Sequence, residues 1–357
     1  MDLKKQLGQF YTTNYKKILN GLYIPQYRQA ETIIVEPFVG QGDLLEFIKG
    51  GEAACTVEMY DIDPKIHGTI KQDTILEPPD YTNKFVLTNP PYLARNKNED
   101  KTLYDKYNTN DLYKCFIKTL LESKPLGGIL IIPLNFWCSV RKADILLRKM
   151  FLKKFHIVRL NVFEEPVFQD TNYSVCSFLF TLHEVVRGDN AVVPTIFYPK
   201  GDEIIMTLND ENNYSFGPSL SAPSGRVVVT RLTRKNVDTK FKTNLVLSCI
   251  DGTSNGTLNN NNDNKINLKY VDIVDKYIDN TPNLSARSYA VLVIEPYLET
   301  SLQKDLAHWF NKYLNENREK YHSLFLTEYR EKSRKRISFN LAYRIVQQQL
   351  DEMLVEP

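Results

Sequence analysis

The sequence predicts an α/β protein: a mostly parallel, doubly wound sheet over its first half, followed by a smaller α+β region. Three observations carry this expectation. Apolar runs of strand length alternate with helical segments across roughly residues 30–150, the rhythm of βαβ units. A glycine turn, Val39-Gly40-Gln41-Gly42, directly follows the first of those strands. The alternation stops near Glu184, and no internal repeat is visible.

Bulk composition sets the frame. A chain of 357 residues accommodates one large or two ordinary domains, and 42% hydrophobic with 25% charged residues is a globular balance. The net charge of +2 makes no global case for a nucleic-acid partner, so local clusters must carry one. Five scattered cysteines form no C-x-x-C pair, which argues against a zinc site or a disulfide framework. No metal is expected, and reduced thiols fit a cytoplasmic protein, of a prokaryote or of a host cell if the gene is viral. The first residues lack an apolar targeting core. The longest apolar run, Gly127–Leu134, is too short to cross a bilayer, and no membrane association is expected.

In chain order, an N-terminal arm (Leu7–Thr13) leads into a helix over Tyr15–Leu22, capped by Thr12, Thr13 or Asn14. Thr32–Val35 reads as a buried strand, and Glu36-Pro37-Phe38-Val39-Gly40-Gln41-Gly42 as the turn after it. Leu45 stands where a dinucleotide fingerprint needs its third glycine. S-adenosylmethionine, which has no pyrophosphate to cradle, suits such a turn better than a dinucleotide.

Thr56–Tyr60 is the second strand, ending in Asp61-Ile62-Asp63-Pro64. Asp61 follows the glycine turn at the distance where a strand-end carboxylate accepts from ribose hydroxyls. Asp73, in Gln72–Leu76, is placed to accept from an adenine amino group of a cofactor.

The fourth strand, Phe85–Leu87, stops at Asn89-Pro90-Pro91-Tyr92 because proline lacks an N–H and fixes φ. The turn gathers an amide side chain, a proline carbonyl and an aromatic ring at a strand's carboxyl end. Two acceptors, the Asn89 side-chain oxygen and the Pro90 main-chain oxygen, can take the two hydrogens of a planar amine. They draw its nitrogen toward a tetrahedral shape and aim the lone pair at a methyl donor. Tyr92 offers a face for stacking a base, worth roughly 1–3 kcal/mol.

Ala94–Asn110 is polar and charged and reads as a mobile loop over the site. Asp111 is expected to cap an amphipathic helix carrying Leu112, Phe116, Leu120 and Leu121. A strand (Ile129–Pro133), Asn135-Phe136-Trp137 at its tip, a helix over Ala143–Phe151 and an antiparallel pair (His156–Phe163, Ser174–Leu182) follow. Phe168 lies on the loop joining that pair.

The ordered set of Gly8-Gln9-Phe10-Tyr11-Thr12, Glu36 through Gly42, Asp61-Ile62-Asp63-Pro64, Asp73, Asn89-Pro90-Pro91-Tyr92 and Phe168 resembles the gamma-class amino-methyltransferases. These are S-adenosylmethionine-dependent DNA adenine-N6 methyltransferases of restriction–modification type. The resemblance spans about residues 7–182, and Asn-Pro-Pro-Tyr is its most specific piece. Thr13 departs from it, standing where the family often has proline.

The resemblance implies a Rossmann-like methyltransferase domain over residues 1–185 and a target-recognition region over 186–357. It implies that Thr12, Glu36, Pro37, Gly40, Gly42, Asp61, Ile62, Asp73 and Asn89 border S-adenosylmethionine. Asn89 and Pro90 would hold the target amine, Pro91 belongs to the same catalytic motif, and Tyr92 and Phe168 would sandwich the flipped base. It further implies double-stranded DNA as partner, a monomeric enzyme, and a restriction endonuclease as a candidate companion.

In the C-terminal half, Arg226, Arg231, Arg234, Lys235, Lys240 and Lys242 face a single acid, Asp238, around a short strand. Arg334, Lys335 and Arg336 lie in a second cluster before a helix over Ile337–Leu354. Arg226, Arg231, Arg234, Lys235, Arg334, Lys335 and Arg336 are the candidate phosphate contacts. Asp251–Asn264 reads as a polar loop, and Lys304–Asn317 as a helix.

Three other readings share much of this pattern. Ribosomal-RNA adenine methyltransferases use similar motifs. Protein glutamine-N5 methyltransferases share Asn-Pro-Pro-Tyr but place a helical domain before the cofactor domain, where this chain has about 30 residues. A catalytically silent DNA-binding subunit would not be expected to keep Asn89, Tyr92 and Asp61.

Overall fold

The computed structural model describes residues 12–25, 32–50, 55–168, 174–183, 190–218, 220, 224–233, 235–249, 267–274, 289–322, 324 and 336–354. The chain divides into two compact units, one formed by Met1–Phe136 and Arg141–Asp210, the other by Trp137–Val140 and Glu211–Pro357.

The first unit is built on a nine-stranded sheet in the order β3-β2-β1-β4-β5-β7-β6-β8-β9. Its central strands are β1 (Thr32–Glu36), β2 (Cys55–Asp61), β4 (Phe85–Thr88) and β5 (Gly127–Pro133). All pair in parallel, with Ile34 opposite Val57 on one side and Phe85 on the other. Apolar side chains make up most of β4 and β5, as a sheet covered on both faces requires. β3 (Ile70–Lys71) is a two-residue edge beside β2.

The helices α1 (Tyr15–Ile18), α2 (Leu45–Lys49), α3 (Thr102–Tyr107), α4 (Leu112–Glu122), α5 (Asn135–Cys138) and α6 (Lys142–Lys154) punctuate the strands. The N-terminal helix is shorter than the sequence suggests, and Asn14 makes no side-chain cap. Asp111 holds the N-cap position of α4 but likewise makes no side-chain capping bond.

β6 (Phe155–Phe163) and β7 (Val175–Leu182) form the expected antiparallel pair, with β7 inserted between β5 and β6. The unit does not end at residue 185. β8 (Ala191–Tyr198) pairs in parallel with β6, and β9 (Asp202–Leu208) returns antiparallel beside it. This hairpin contains no helix, so a boundary drawn where helix–strand alternation ceases falls short of it. β6 is buried along its second half, and β8 covers its free edge.

The second unit is α+β. Its sheet has the order β10-β13-β11-β12, from β10 (Val228–Arg231), β11 (Lys242–Ser248), β12 (Leu268–Tyr270) and β13 (Tyr289–Glu295). The helices α7 (Thr300–Tyr321) and α8 (Phe339–Met353) bury Leu306, Phe310, Leu314, Leu341, Ile345 and Leu350 in one core with Leu245, Leu247, Leu292 and Ile294. Ser338 caps α8 by accepting from the Leu341 N–H at 3.1 Å. Val246, Val291 and Val293 belong to a separate apolar cluster with Leu232 and Val274, as strand alternation dictates. The polar run Asp251–Asn264 lies outside the described residues.

Candidate active site

Strand order reverses between β1 and β4: β2 and β3 lie to one side, β5 and β7 to the other. In open α/β sheets that reversal leaves a crevice beyond the strands' carboxyl ends. Here the crevice is a cavity of about 310 Å³, bordered by Thr12, Gly40, Asp61, Asp73, Asn89 and Pro91 among others. Residues as far apart in sequence as Thr12 and Leu112 therefore meet at one place.

The glycine turn forms one wall. Gly40 and Gly42 both take positive φ (55° and 85°), a conformation costly for residues with a Cβ. The turn closes through Gly42 N–H to Val39 O at 2.9 Å and is tied to β2 through Val39 N–H to Tyr60 O at 3.1 Å. Asp61 reinforces the tie. Its Oδ2 accepts from the Gly40 N–H and its Oδ1 from the Asp63 N–H, both at 2.8 Å. A carboxylate has about four lone-pair directions, so two remain for hydroxyl donors from a ligand. Asp73 Oδ1 similarly accepts from the Ile75 and Leu76 N–H groups at 3.0 Å while lining the cavity.

Glu36 lies under the turn and is only 1% exposed. Its Oε1 accepts from the Thr88 hydroxyl at 2.6 Å and the Phe38 N–H at 3.1 Å, whereas Oε2 has no hydrogen-bond partner. Burial pushes its carboxyl up to about 8, partly offset by those two hydrogen bonds and raised further by Asp61. Glu36 and Gly42 thus support the turn without lining the cavity, and Pro37 and Pro90 are also absent from its lining. Ile62 does line it.

Asn89 reaches the cavity from the end of β4. Its Nδ2 donates to Thr12 Oγ1 at 3.1 Å, and the Tyr92 hydroxyl lies against its Oδ1. The same hydroxyl is 2.6 Å from the Ile131 carbonyl oxygen. The Asn89 amide is therefore held from both ends, which fixes which way its oxygen faces. Tyr92 is 5% exposed, its ring edge-on to Tyr113 with centroids 6.1 Å apart, and burial holds its phenol well above the ordinary range. Phe168 is 4% exposed. Neither ring is among the residues lining this cavity, which Asn89 borders.

The segment read as a mobile loop is instead folded over the site. A 3₁₀ turn (Arg95–Lys97) and α3 occupy it, and two buried tyrosines pin it. The Tyr104 hydroxyl donates to Leu93 O at 2.9 Å and the Tyr107 hydroxyl to Ile75 O at 2.7 Å. Asn98, Asp100 and Leu103 from this segment line the cavity, as do Phe38, Gln41, Asp43, Leu44, Gln72 and Leu112. Sequence reading missed them because Asn98 and Asp100 sit in an ordinary-looking polar run. The paired tyrosines three residues apart, one helical turn, were the available signal.

The basic candidates belong to the second unit. Arg226 and Lys235 are exposed, and Arg231 is half-buried with its guanidinium 5.5 Å from the Phe339 ring centroid. Arg336 is half-buried at the start of the segment leading to α8. Arg234, Arg334 and Lys335 lie outside the described residues.

The donor set fits S-adenosylmethionine. Two aspartates offer acceptors for hydroxyls and an amine, apolar walls (Phe38, Leu44, Ile75, Leu103) suit an adenine ring, and no described cationic side chain lines the cavity to hold phosphates. No group of described residues is arranged to hold a metal ion.

Fold and site together define a Rossmann-like α/β domain with its cavity at the sheet's reversal point. Residues 69–168, under a third of the chain, match the family described as Eco57I restriction-modification methylase. That segment contains Asp73, Asn89–Tyr92 and Phe168, and the resemblance to restriction–modification methyltransferases holds over it.

Solved structures are similar at greater distance. One is a modification subunit of a putative type I restriction enzyme from Vibrio vulnificus, 14% identical, with 57% of this chain covering 50% of that one at a TM-score of 0.40. Another is a type I restriction-modification methyltransferase subunit from Streptococcus thermophilus, 16% identical, with 56% covering 51% at 0.38. A third is a putative class I S-adenosylmethionine-dependent methyltransferase from Listeria monocytogenes, 13% identical, with 51% covering 61% at 0.37. The chain thus spans half to three-fifths of the length of these structures, and likenesses this distant say nothing about substrate. No curated protein matches the chain.

Proposed function

We propose that the protein is a site-specific DNA adenine-N6 methyltransferase using S-adenosylmethionine. The observation that carries this reading is the convergence of Gly40, Asp61, Asp73 and Asn89 on one cavity at the sheet's reversal point, with the Asn89 amide fixed from both sides.

When bound, S-adenosylmethionine supplies an electrophilic methyl whose C–S bond is exchanged for a C–N bond to the target amine, releasing a neutral thioether and a proton. The chain's own part is positioning, which supplies most of the acceleration in such displacements. The Gly40–Gly42 turn, Asp61 and Asp73 would bind the cofactor's ribose and adenine. Asn89 Oδ1 and the Pro90 carbonyl would accept the two amine hydrogens and orient the nitrogen lone pair. Thr12 holds the Asn89 amide in register for that task through its Nδ2, and the outward turn of Tyr92 would leave Oδ1 for the amine.

Stacking of a flipped adenine by Tyr92 and Phe168 requires these buried side chains to turn outward, and stacking would offset the few kcal/mol of extrusion. Arg226, Arg231, Arg234, Lys235, Arg334, Lys335 and Arg336 are the proposed phosphate contacts on duplex DNA. A monomeric, cytoplasmic enzyme working beside a restriction endonuclease fits this reading. No described helix is long and apolar enough to cross a membrane.

The test is transfer of labelled methyl from S-adenosylmethionine to unmethylated duplex DNA, with RNA and protein as parallel acceptors. Label recovered from DNA as N6-methyladenine supports the proposal. Label confined to RNA, or to protein glutamine, keeps the Asn89 chemistry and overturns the DNA assignment. Cofactor binding without transfer to any acceptor would return the chain to a silent binding subunit.

A further inference from the structure

The folded segment over the cavity adds a residue that the motifs do not assign. Resting on the methyltransferase reading, we infer that Asp100 is a specificity-determining residue that favours the cationic methyl donor over its uncharged-sulfur product.

The charge of the cavity lining is one-sided. Asp43, Asp61, Asp73 and Asp100 border it, and no described lysine, arginine or histidine does. Asp61 and Asp73 are bound up with backbone N–H groups of the cofactor-side loops. Asp100 comes from the opposite side of the chain's order, between the 3₁₀ turn and α3, and stands exposed at the rim.

Its conformation is fixed rather than free. Oδ1 accepts from the Thr102 N–H at 2.8 Å and from the Thr102 hydroxyl at 2.6 Å. Those bonds hold its carboxyl below the ordinary carboxylate range, so it stays ionised at neutral pH. The adjacent Lys101 does not neutralise it by pairing: its Nζ is spent on the Arg95 and Asn98 carbonyl oxygens. Tyr104 and Tyr107 keep the whole segment in place.

The consequence follows from charge. Donor and product share the adenosine and amino-acid parts and differ by one methyl and one positive charge at sulfur. Contacts to the shared parts, attraction of a carboxylate for the α-ammonium included, hold both alike, and a fixed carboxylate bordering the cavity adds attraction for the sulfonium charge of the donor alone. Asp100 would thus let the donor compete better with the product for the same cavity, leaving the product's own affinity unchanged. Because it is exposed, its effect is screened by salt, with a Debye length of about 10 Å at 0.1 M.

The experiment is calorimetric titration of the full chain with S-adenosylmethionine, with sinefungin (whose amine replaces the methylsulfonium and keeps a positive charge) and with S-adenosylhomocysteine. Asp100→Asn keeps an Oδ1 acceptor for Thr102, and Asp100→Ser keeps a shorter one, so the turn is preserved while the charge goes. Both variants should lose about three- to ten-fold in affinity for the two cationic ligands at low salt and less than two-fold for the product. The preference of the parent chain for the donor should shrink toward that of the variants as salt rises to about 0.5 M. Equal losses for all three ligands, or no loss for any, would overturn the inference and reduce Asp100 to a turn residue. If the parent binds none of the three, the methyltransferase reading itself fails, which is a separate and recognisable result.

Discussion

The two units use β-structure to opposite ends. In the first, buried parallel strands stop in polar turns, and those turns carry Gly40, Asp61 and Asn89 into a shared cavity. In the second, strands alternate between two apolar clusters and helices cover one of them, while charged groups such as Arg226 and Lys235 stand outside. The first concentrates chemistry at strand ends, where backbone geometry fixes positions. The second spreads its polar groups over surface, where geometry fixes little.

Asn89→Ala attacks the first unit where the contrast is sharpest. Methyl transfer in single-turnover assays should fall by at least about 10³-fold, as for loss of one transition-state acceptor. Cofactor affinity by calorimetry should stay within a few-fold. A comparable loss of both would move Asn89 from the chemistry to the cofactor.

Phe310→Ala attacks the second unit in its core. Deleting a fully buried ring should cost about 3–5 kcal/mol of that unit's stability in denaturant unfolding. Cofactor binding should survive at temperatures where DNA binding is lost. If both disappear together, the contrast between the units does not extend to function.

Glu36→Gln tests the support beneath the glycine turn. A carboxyl whose folded pKa of about 8 lies above its ordinary 4.5 favours the folded state when protonated. Stability should therefore decline as pH rises from 4.5 to 8 and level off above that. The variant, which cannot ionise, should be more stable than the parent at pH 8 by about 2–4 kcal/mol and nearly equal at pH 4.5. Parallel pH profiles of Tm in the two proteins would show that Glu36 titrates normally.

Asp61→Ala should weaken S-adenosylmethionine about ten- to fifty-fold, by loss of ribose acceptors and of the tie to Gly40. Unchanged affinity would remove Asp61 from the cofactor site.

The smallest effect belongs to the surface. Arg226→Gln with Lys235→Gln should leave Tm unchanged and lower the salt slope of DNA binding by about one per contact removed. An unaltered slope would mean that these side chains merely face solvent.

The sequence alone determined the turns that end the central strands and part of the cavity's lining. Proline cannot continue a strand, glycine alone enters positive φ cheaply, and period-two burial marks strands, so Gly40, Asp61, Asp73 and Asn89 were legible as local chemistry. Tertiary structure decided the rest. The β8–β9 hairpin joins the first sheet because β6 offers an edge, a long-range fact with no local mark. The segment over the cavity folds because Tyr104 and Tyr107 find carbonyl partners 11 and 32 residues away. Tyr92 and Phe168 lie buried because packing against the rest of the chain removes their apolar surface from water. Propensity and spacing act over a few residues; a hydrogen bond or a buried ring is settled by whatever the rest of the chain brings beside it.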